Sequence, residues 1–394
     1  MLERAILCLL YLYCASMAVS EPIANFAVDV SLLLGLAHLY RTRDLRVDDR
    51  GIYILATAYL CMLVVSALGA YEPRLAIHPI WVSFYYTLIP FYLAGRYVDT
   101  EKKRWIALGL MLFSVSLTAV HTLWQSYLQF PRPQGFLYLL ETGAHIDQIG
   151  ILALVLLCCH SSRPTWFKNT TVVPLLFLFC AALLATLSRQ PWLAAALATL
   201  MFMVLARVSW RKSLSVLLVA VVIVGIAVSV YPDLRQRVQS LTDRNNIGAW
   251  ERFYMWKEAW AKFSDHPVAG IGPGNSPVVD YRYVLPQRID RSPLIHPHNI
   301  LFHLLAETGV IGASAFLILY GYILRHLYRG WKISGSPWVL GVFLATISVL
   351  LNGMSENFVF GVLPVKQSEW FLLGMVWNAA CSKNYNGVAI TNRS

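Results

Sequence analysis

Long apolar blocks separated by short polar punctuation pattern this chain from end to end. A membrane-crossing helix needs about 20 largely apolar residues. Blocks of that kind predict twelve spans, near 5–20, 23–40, 51–70, 77–95, 105–124, 147–160, 171–187, 191–208, 213–231, 298–324, 337–355 and 367–381. The sixth and twelfth are short, which leaves room for tilt or re-entry. One segment breaks the rhythm: 232–297, a large loop between the ninth and tenth predicted spans. The expected fold class is an all-α integral membrane protein of about 12 transmembrane helices, a single polytopic unit over residues 1–394.

Composition agrees with the pattern. Of the 394 residues, 57% are apolar and 13% charged, about half the charged share of a typical soluble domain. Basic residues then orient the chain, because short cytoplasmic loops carry an excess of Lys and Arg. With the N-terminus inside, the inner segments hold Arg4, Arg41, Arg43, Arg46, Arg50, Arg96, Lys102, Lys103 and Arg104. They continue with Arg163, Lys168, Arg207, Arg211, Lys212, Arg325, Arg329, Lys332, Lys383 and Arg393. The short outer loops hold only Arg74, Arg132, Arg189 and Lys366. Both termini are therefore expected in the cytoplasm and the large loop outside, in the periplasm of a bacterium.

Most of the net charge of +11 is this topological excess facing an anionic inner leaflet, so no nucleic-acid partner is expected. Cys8, Cys14, Cys61, Cys158, Cys159, Cys180 and Cys381 all fall within or at the ends of predicted spans, an arrangement that predicts neither a disulfide nor a metal cluster. Arg4, an apolar stretch and Ala18-Val19-Ser20 imitate a cleavable secretion signal. Its removal would spoil the charge alternation, and it is read as the first span.

The large loop contains IGAWERFYMWKEAWAKFSDHPVAGIGPGNSP, residues 247–277. Trp250, Phe253, Trp256, Trp260 and Phe263 recur at three and four, which places one aromatic stripe on a helix, with Glu251, Glu258 and Lys262 on the opposite face. Such a helix suits the membrane interface, where Trp rings settle at headgroup depth, or packing onto the transmembrane bundle. Arg252 lies at the edge of the stripe, placed to aim at the membrane surface. The following Gly270-Ile271-Gly272-Pro273-Gly274-Asn275 lacks the Lys-Ser/Thr pair of a phosphate loop and no strand precedes it, so it reads as a tight turn.

Two places carry candidate chemistry. Residues 180–200, CAALLATLSRQPWLAAALATL, would form one span but for Ser188-Arg189-Gln190-Pro191, a break on the outer side. Arg189 can snorkel to the headgroups. Held close to the surface by the tight turn, it can also grip a lipid-linked anion such as pyrophosphate through its forked, permanently charged donors. His298, directly after Pro297, opens the tenth span at the outer boundary. A neutral imidazole there can take a proton from a hydroxyl nucleophile; a capping or interface role is the alternative, and is the reading adopted for His296. His303 and Glu307, four apart, can touch and support a polar network below the site, or form an inert pair. A base and two arginines at a water–membrane boundary point to group transfer from a polyisoprenyl pyrophosphate onto a hydroxyl. The outer segments carry no acidic metal-binding motif, so no metal or other cofactor is expected and the arginines take the place of a divalent cation.

These residues resemble the O-antigen ligase and polymerase family of bacterial envelope membrane proteins. The matching pieces are Leu187-Ser188-Arg189, Arg252 with Trp256, His266-Pro267-Val268-Ala269-Gly270-Ile271-Gly272-Pro273-Gly274-Asn275, His296-Pro297-His298-Asn299, and Glu307-Thr308-Gly309. They cover roughly residues 171–330; the first 170 residues match only as generic spans. The resemblance implies a Gram-negative inner-membrane enzyme with a helical fold akin to the GT-C class of polyprenyl-dependent glycosyltransferases. It implies that Arg189 and Arg252 hold the pyrophosphate of an undecaprenyl-pyrophosphate-linked glycan and that His298 is the general base on the periplasmic side. The glycan would pass, with inversion and without metal or nucleotide, to the outer core sugar of lipid A-core.

Polymerase members share this chemistry and differ in acceptor, and a related protein O-oligosaccharyltransferase usually carries a longer C-terminal region. Twelve spans, the compact length and the HPHN signature followed by ETG favour the ligase. A lipid-linked glycan transporter would place charges along the middle of several spans or repeat broken helices in two halves. Here Glu307 is the main charge in such a position.

Overall fold

The computed structural model describes residues 1–44, 49–137, 139–240, 247–278, 297–355 and 363–381. Fifteen helices carry the described chain: α1 Leu2–Ser16, α2 Glu21–Thr42, α3 Arg50–Leu68, α4 Ile77–Tyr85, α5 Leu88–Tyr97, α6 Glu101–Tyr127, α7 Leu139–Cys159 and α8 Asn169–Ala185. They continue as α9 Arg189–Leu205, α10 Trp210–Val230, α11 Pro232–Gln239, α12 Ile247–Asp265, α13 Ile300–Ser334, α14 Pro337–Gly353 and α15 Leu363–Cys381. Among the described residues there is no strand. Helices satisfy their own backbone groups, which hydrocarbon demands. Five of them, α2, α3, α6, α7 from Glu141, and α13, are long and apolar enough to cross a membrane, and α8, α9 and α14 are shorter apolar helices. The fold of the described residues is all-helical, and its apolar helices make the chain a multi-pass membrane protein.

Each predicted apolar block falls on helical residues, but three differ in form. The fourth, expected as one span over 77–95, is two helices, α4 and α5. Pro90 offers no N–H to the Tyr86 carbonyl four residues back and its ring clashes there, so the helix is interrupted at Tyr86 and Thr87. The sixth, expected from 147, starts at Leu139, because Glu141, Thr142, His145, Asp147 and Gln148 lie buried inside the bundle and depress the hydropathy of a helix that continues through them. The tenth is broken at Gly309, whose φ of 60° and ψ of −164° interrupt α13.

The core gathers around α14 and α15, where Trp338, Trp370 and Phe371 are fully enclosed. α7 packs on α14, α5 on α15 and α3 on α13. Buried polar groups there bond across helices, as groups cut off from water must: Asn352 Nδ2 donates to Asp147 Oδ2 at 3.0 Å, and Ser368 Oγ to Gln148 Oε1 at 2.6 Å. The first ties the C-terminal end of α14 to α7, and the second ties α15 to α7.

The large loop carries α11 and α12; His296 and the rest of 279–296 lie outside the described residues. The faces of α12 correct the sequence reading. Glu258 and Lys262, expected on the water-facing side, are buried 3.4 Å apart, and Lys262 Nζ donates to the Ser276 carbonyl at 3.0 Å. Burial holds the Lys262 ammonium below its ordinary range while Glu258 pulls it back up. Paired charges can be enclosed where single ones cannot. Phe253 and Trp260 point outward, while Trp256 stacks on Phe302 with ring centroids 5.5 Å apart.

Candidate active site

The break between α8 and α9 turns on Leu187, a non-glycine residue in the left-handed region with φ of 54°. Ser188 Oγ donates to Gln190 Oε1 at 2.8 Å, and α9 starts at Arg189 with Pro191 in its first turn, where a missing N–H costs nothing. Arg189 Nη2 donates to the Arg237 carbonyl at 3.3 Å and to Ser240 Oγ. Its Nε is buried without a partner among the described residues.

Arg189, Arg237 and Arg252 line one cavity of about 220 Å³. Gln190, Leu193, Ala194 and Leu197 of α9 form one wall, and Leu351, Met354 and Ser355 at the end of α14 form another. Among the described residues, no carboxylate lines the cavity. Burial, and then the neighbouring Arg189, Arg132 and Arg252, push the Arg237 guanidinium below its ordinary range. Guanidinium stays charged regardless, so the cavity concentrates positive potential that only an anion relieves. Leu193 and Leu197 are exposed, so the cavity opens onto the apolar face of α9.

His298 also sits in the left-handed region, with φ of 45°, a conformation that disfavours a side chain by about 1–2 kcal/mol. Its neighbours hold it there. Trp256 Nε1 donates to the Pro297 carbonyl at 3.1 Å. The Asn299 side chain accepts from the Leu301 and Phe302 amides that open α13, and its Nδ2 donates to the Met354 carbonyl at 3.0 Å. Met354 is part of the cavity wall, and α12 carries both Arg252 and Trp256. The half-buried His298 is therefore tied on both sides to the elements that build the arginine cavity.

His303 and Glu307 meet, with Nε2 and Oε2 3.3 Å apart, both buried. The Glu307 carboxylate also accepts from the Gly274 amide at 2.7 Å and the Ser276 amide at 3.2 Å. The backbone of the glycine-rich turn crosses α13 at its break: the Ile271 amide donates to the Ala306 carbonyl and the Gly272 amide to the Glu307 carbonyl, while the Val310 amide donates back to Pro267. A Cβ on Gly309 would stand 2.3 Å from the Val268 carbonyl oxygen, and one on Gly270 2.4 Å from the Glu307 backbone. With these amides occupied, the turn clasps α13 and does not cradle phosphate. Of the residues singled out in the sequence, Arg189 and Arg252 share the cavity, His298 stands outside its lining between Pro297 and Asn299, which bond to Trp256 and Met354, and His303 and Glu307 brace the turn. Arg237 and the α14 wall add to what the sequence indicated.

A helical, multi-pass membrane protein with a cationic cavity open to an apolar helix face is the class these features define. Residues 174–317 match the family model described as O-antigen ligase. A curated O-antigen ligase of Salmonella typhimurium is 26% identical over 175 residues, 41% of this chain and 42% of the relative. The chain thus spans about two fifths of the length of the curated relative it matches. The similarity to the O-antigen ligase family lies over residues 174–317, a segment that contains Arg189, Arg252, His298, His303 and Glu307.

Proposed function

We propose that this protein is an O-antigen ligase: it transfers a glycan from undecaprenyl pyrophosphate to the outer core sugar of lipid A-core, in the inner membrane of a Gram-negative bacterium. The observation that carries this reading is that Arg189 and Arg252, 63 residues apart in the chain, line one cavity continuous with the apolar face of α9, with no carboxylate among its described lining residues. A lipid-linked pyrophosphate has that same pairing of dianion and hydrocarbon. In the reaction, His298 takes the proton of the acceptor hydroxyl, whose oxygen bonds to the anomeric carbon. The bond from that carbon to the phosphate oxygen breaks, its electron pair leaving with the lipid pyrophosphate under the arginines, without a metal. Single displacement inverts the anomeric centre. His303 and Glu307 support the site through the glycine-rich turn. We further read twelve crossings in a GT-C-like arrangement, both termini cytoplasmic, and 232–297 with the site on the periplasmic side.

The test is the lipopolysaccharide profile of a ligase-deficient strain with compatible core and donor, expressing the wild type or His298→Ala at matched membrane levels. Long glycan on lipid A-core with the wild type alone is expected. Lengthening of the lipid-linked glycan over a bare core would make the protein a polymerase, and equal ligation by both chains would remove His298 from the chemistry.

A further inference from the structure

We propose that Arg237, carried by α11, is a catalytic residue that meets the negative charge appearing on the departing pyrophosphate. This rests on the functional reading above and adds to it a group outside the sequence motifs. α11 is short but anchored: Leu234 is 1% exposed, and Ser126 Oγ of α6 donates to Tyr231 Oη at 3.0 Å just before the helix begins. Arg237 Nε donates to the Leu187 carbonyl at 2.9 Å, and Arg189 Nη2 donates to the Arg237 carbonyl. Arg189 thus holds the Arg237 backbone, while Arg237 holds the left-handed Leu187 turn from which Arg189 is presented. The terminal nitrogens of Arg237 have no hydrogen-bond partner among the described residues, and the side chain lines the cavity.

Charge counting gives the third guanidinium a role. The donor is a pyrophosphate diester with two ionised oxygens, a number that Arg189 and Arg252 match. When the glycan's anomeric carbon bonds to the acceptor oxygen, the C–O bond to phosphate breaks and its electron pair stays on the phosphate oxygen, while the acceptor's proton goes to His298. The product is a monoester with one further negative charge. Three converging cations therefore suit the product-like transition state better than the substrate, which is the condition for raising kcat.

The purified full chain, assayed with lipid-linked glycan and lipid A-core, separates this role from a merely structural one. Arg237→Gln keeps a donor for the Leu187 carbonyl and removes the charge; Arg237→Lys keeps the charge and loses the fork. The expected result is a fall in kcat of about a hundredfold for Arg237→Gln, the scale of losing one transition-state donor, with KM within about threefold and Arg237→Lys in between. Inhibition by inorganic pyrophosphate should weaken about tenfold in Arg237→Gln, the scale of one charge-assisted hydrogen bond, at an unchanged Tm. Arg237→Gln working as well as the wild type, or losing activity only alongside a lowered Tm while Arg237→Lys does the same, would overturn the assignment. A wild type that neither transfers glycan nor responds to inorganic pyrophosphate would instead defeat the functional reading beneath it.

Discussion

Arg189 divides its donors: Nη2 is bonded within the protein, while Nε is buried and unpartnered among the described residues. A lysine there has one compact ammonium and cannot both hold the Arg237 carbonyl and reach a phosphate as a fork. Arg189→Lys is expected to lower transfer by about tenfold or more at normal membrane levels, since a charge-assisted hydrogen bond is worth about 1.5–3 kcal/mol. Near-normal transfer would return Arg189 to the role of a snorkelling headgroup contact. Arg189 and His298 stand out in the sequence because each interrupts or opens an apolar run, and Arg252 because it borders an aromatic stripe. Arg237 was not legible. In a polar stretch such as PDLRQRVQ an arginine costs nothing, and only the packing of α11 against the Leu187 turn brings it to the cavity.

The helices show the limits of pattern in another way. Hydropathy averaged over a span does not register one glycine, and α13 reads as continuous although Gly309 breaks it where the Val268 backbone crosses. Gly309→Ala combines a positive φ with a Cβ 2.3 Å from the Val268 oxygen. It is expected to destabilise the protein by about 2 kcal/mol or more, visible as a lowered Tm; an unchanged Tm would show that the clasp is not needed for stability. Glu307→Ala leaves the Gly274 and Ser276 amides without acceptors, at about 1–3 kcal/mol each. This variant should lose stability yet, where still folded, bind inorganic pyrophosphate as the wild type does. Loss of binding at full stability would show that Glu307, through the turn, positions the groups that bind pyrophosphate. Periodicity likewise identified which residues of α12 share a face but not which face turns inward, because Glu258 and Lys262 neutralise each other when buried.

Across the whole molecule, the bilayer itself made the plan readable. It demands apolar runs of fixed length and basic residues on one side, and those demands are written locally in the chain. Which helices touch is not written locally: α7 meets α14 and α3 meets α13 over large sequence separations, through bonds such as Asn352 to Asp147. That long-range packing sets the end of α14 against α9, and Arg252 of α12 lines the cavity between them. The proposed mechanism is that three guanidiniums and a histidine at this junction suffice to move a glycan off its lipid pyrophosphate. It is tested most directly by reconstituting the purified chain with undecaprenyl-pyrophosphate-linked glycan and lipid A-core, in excess EDTA, as the sole substrates. Long glycan on lipid A-core, with undecaprenyl pyrophosphate released, is the expected result; no transfer, or transfer that appears only when magnesium is restored, would contradict it.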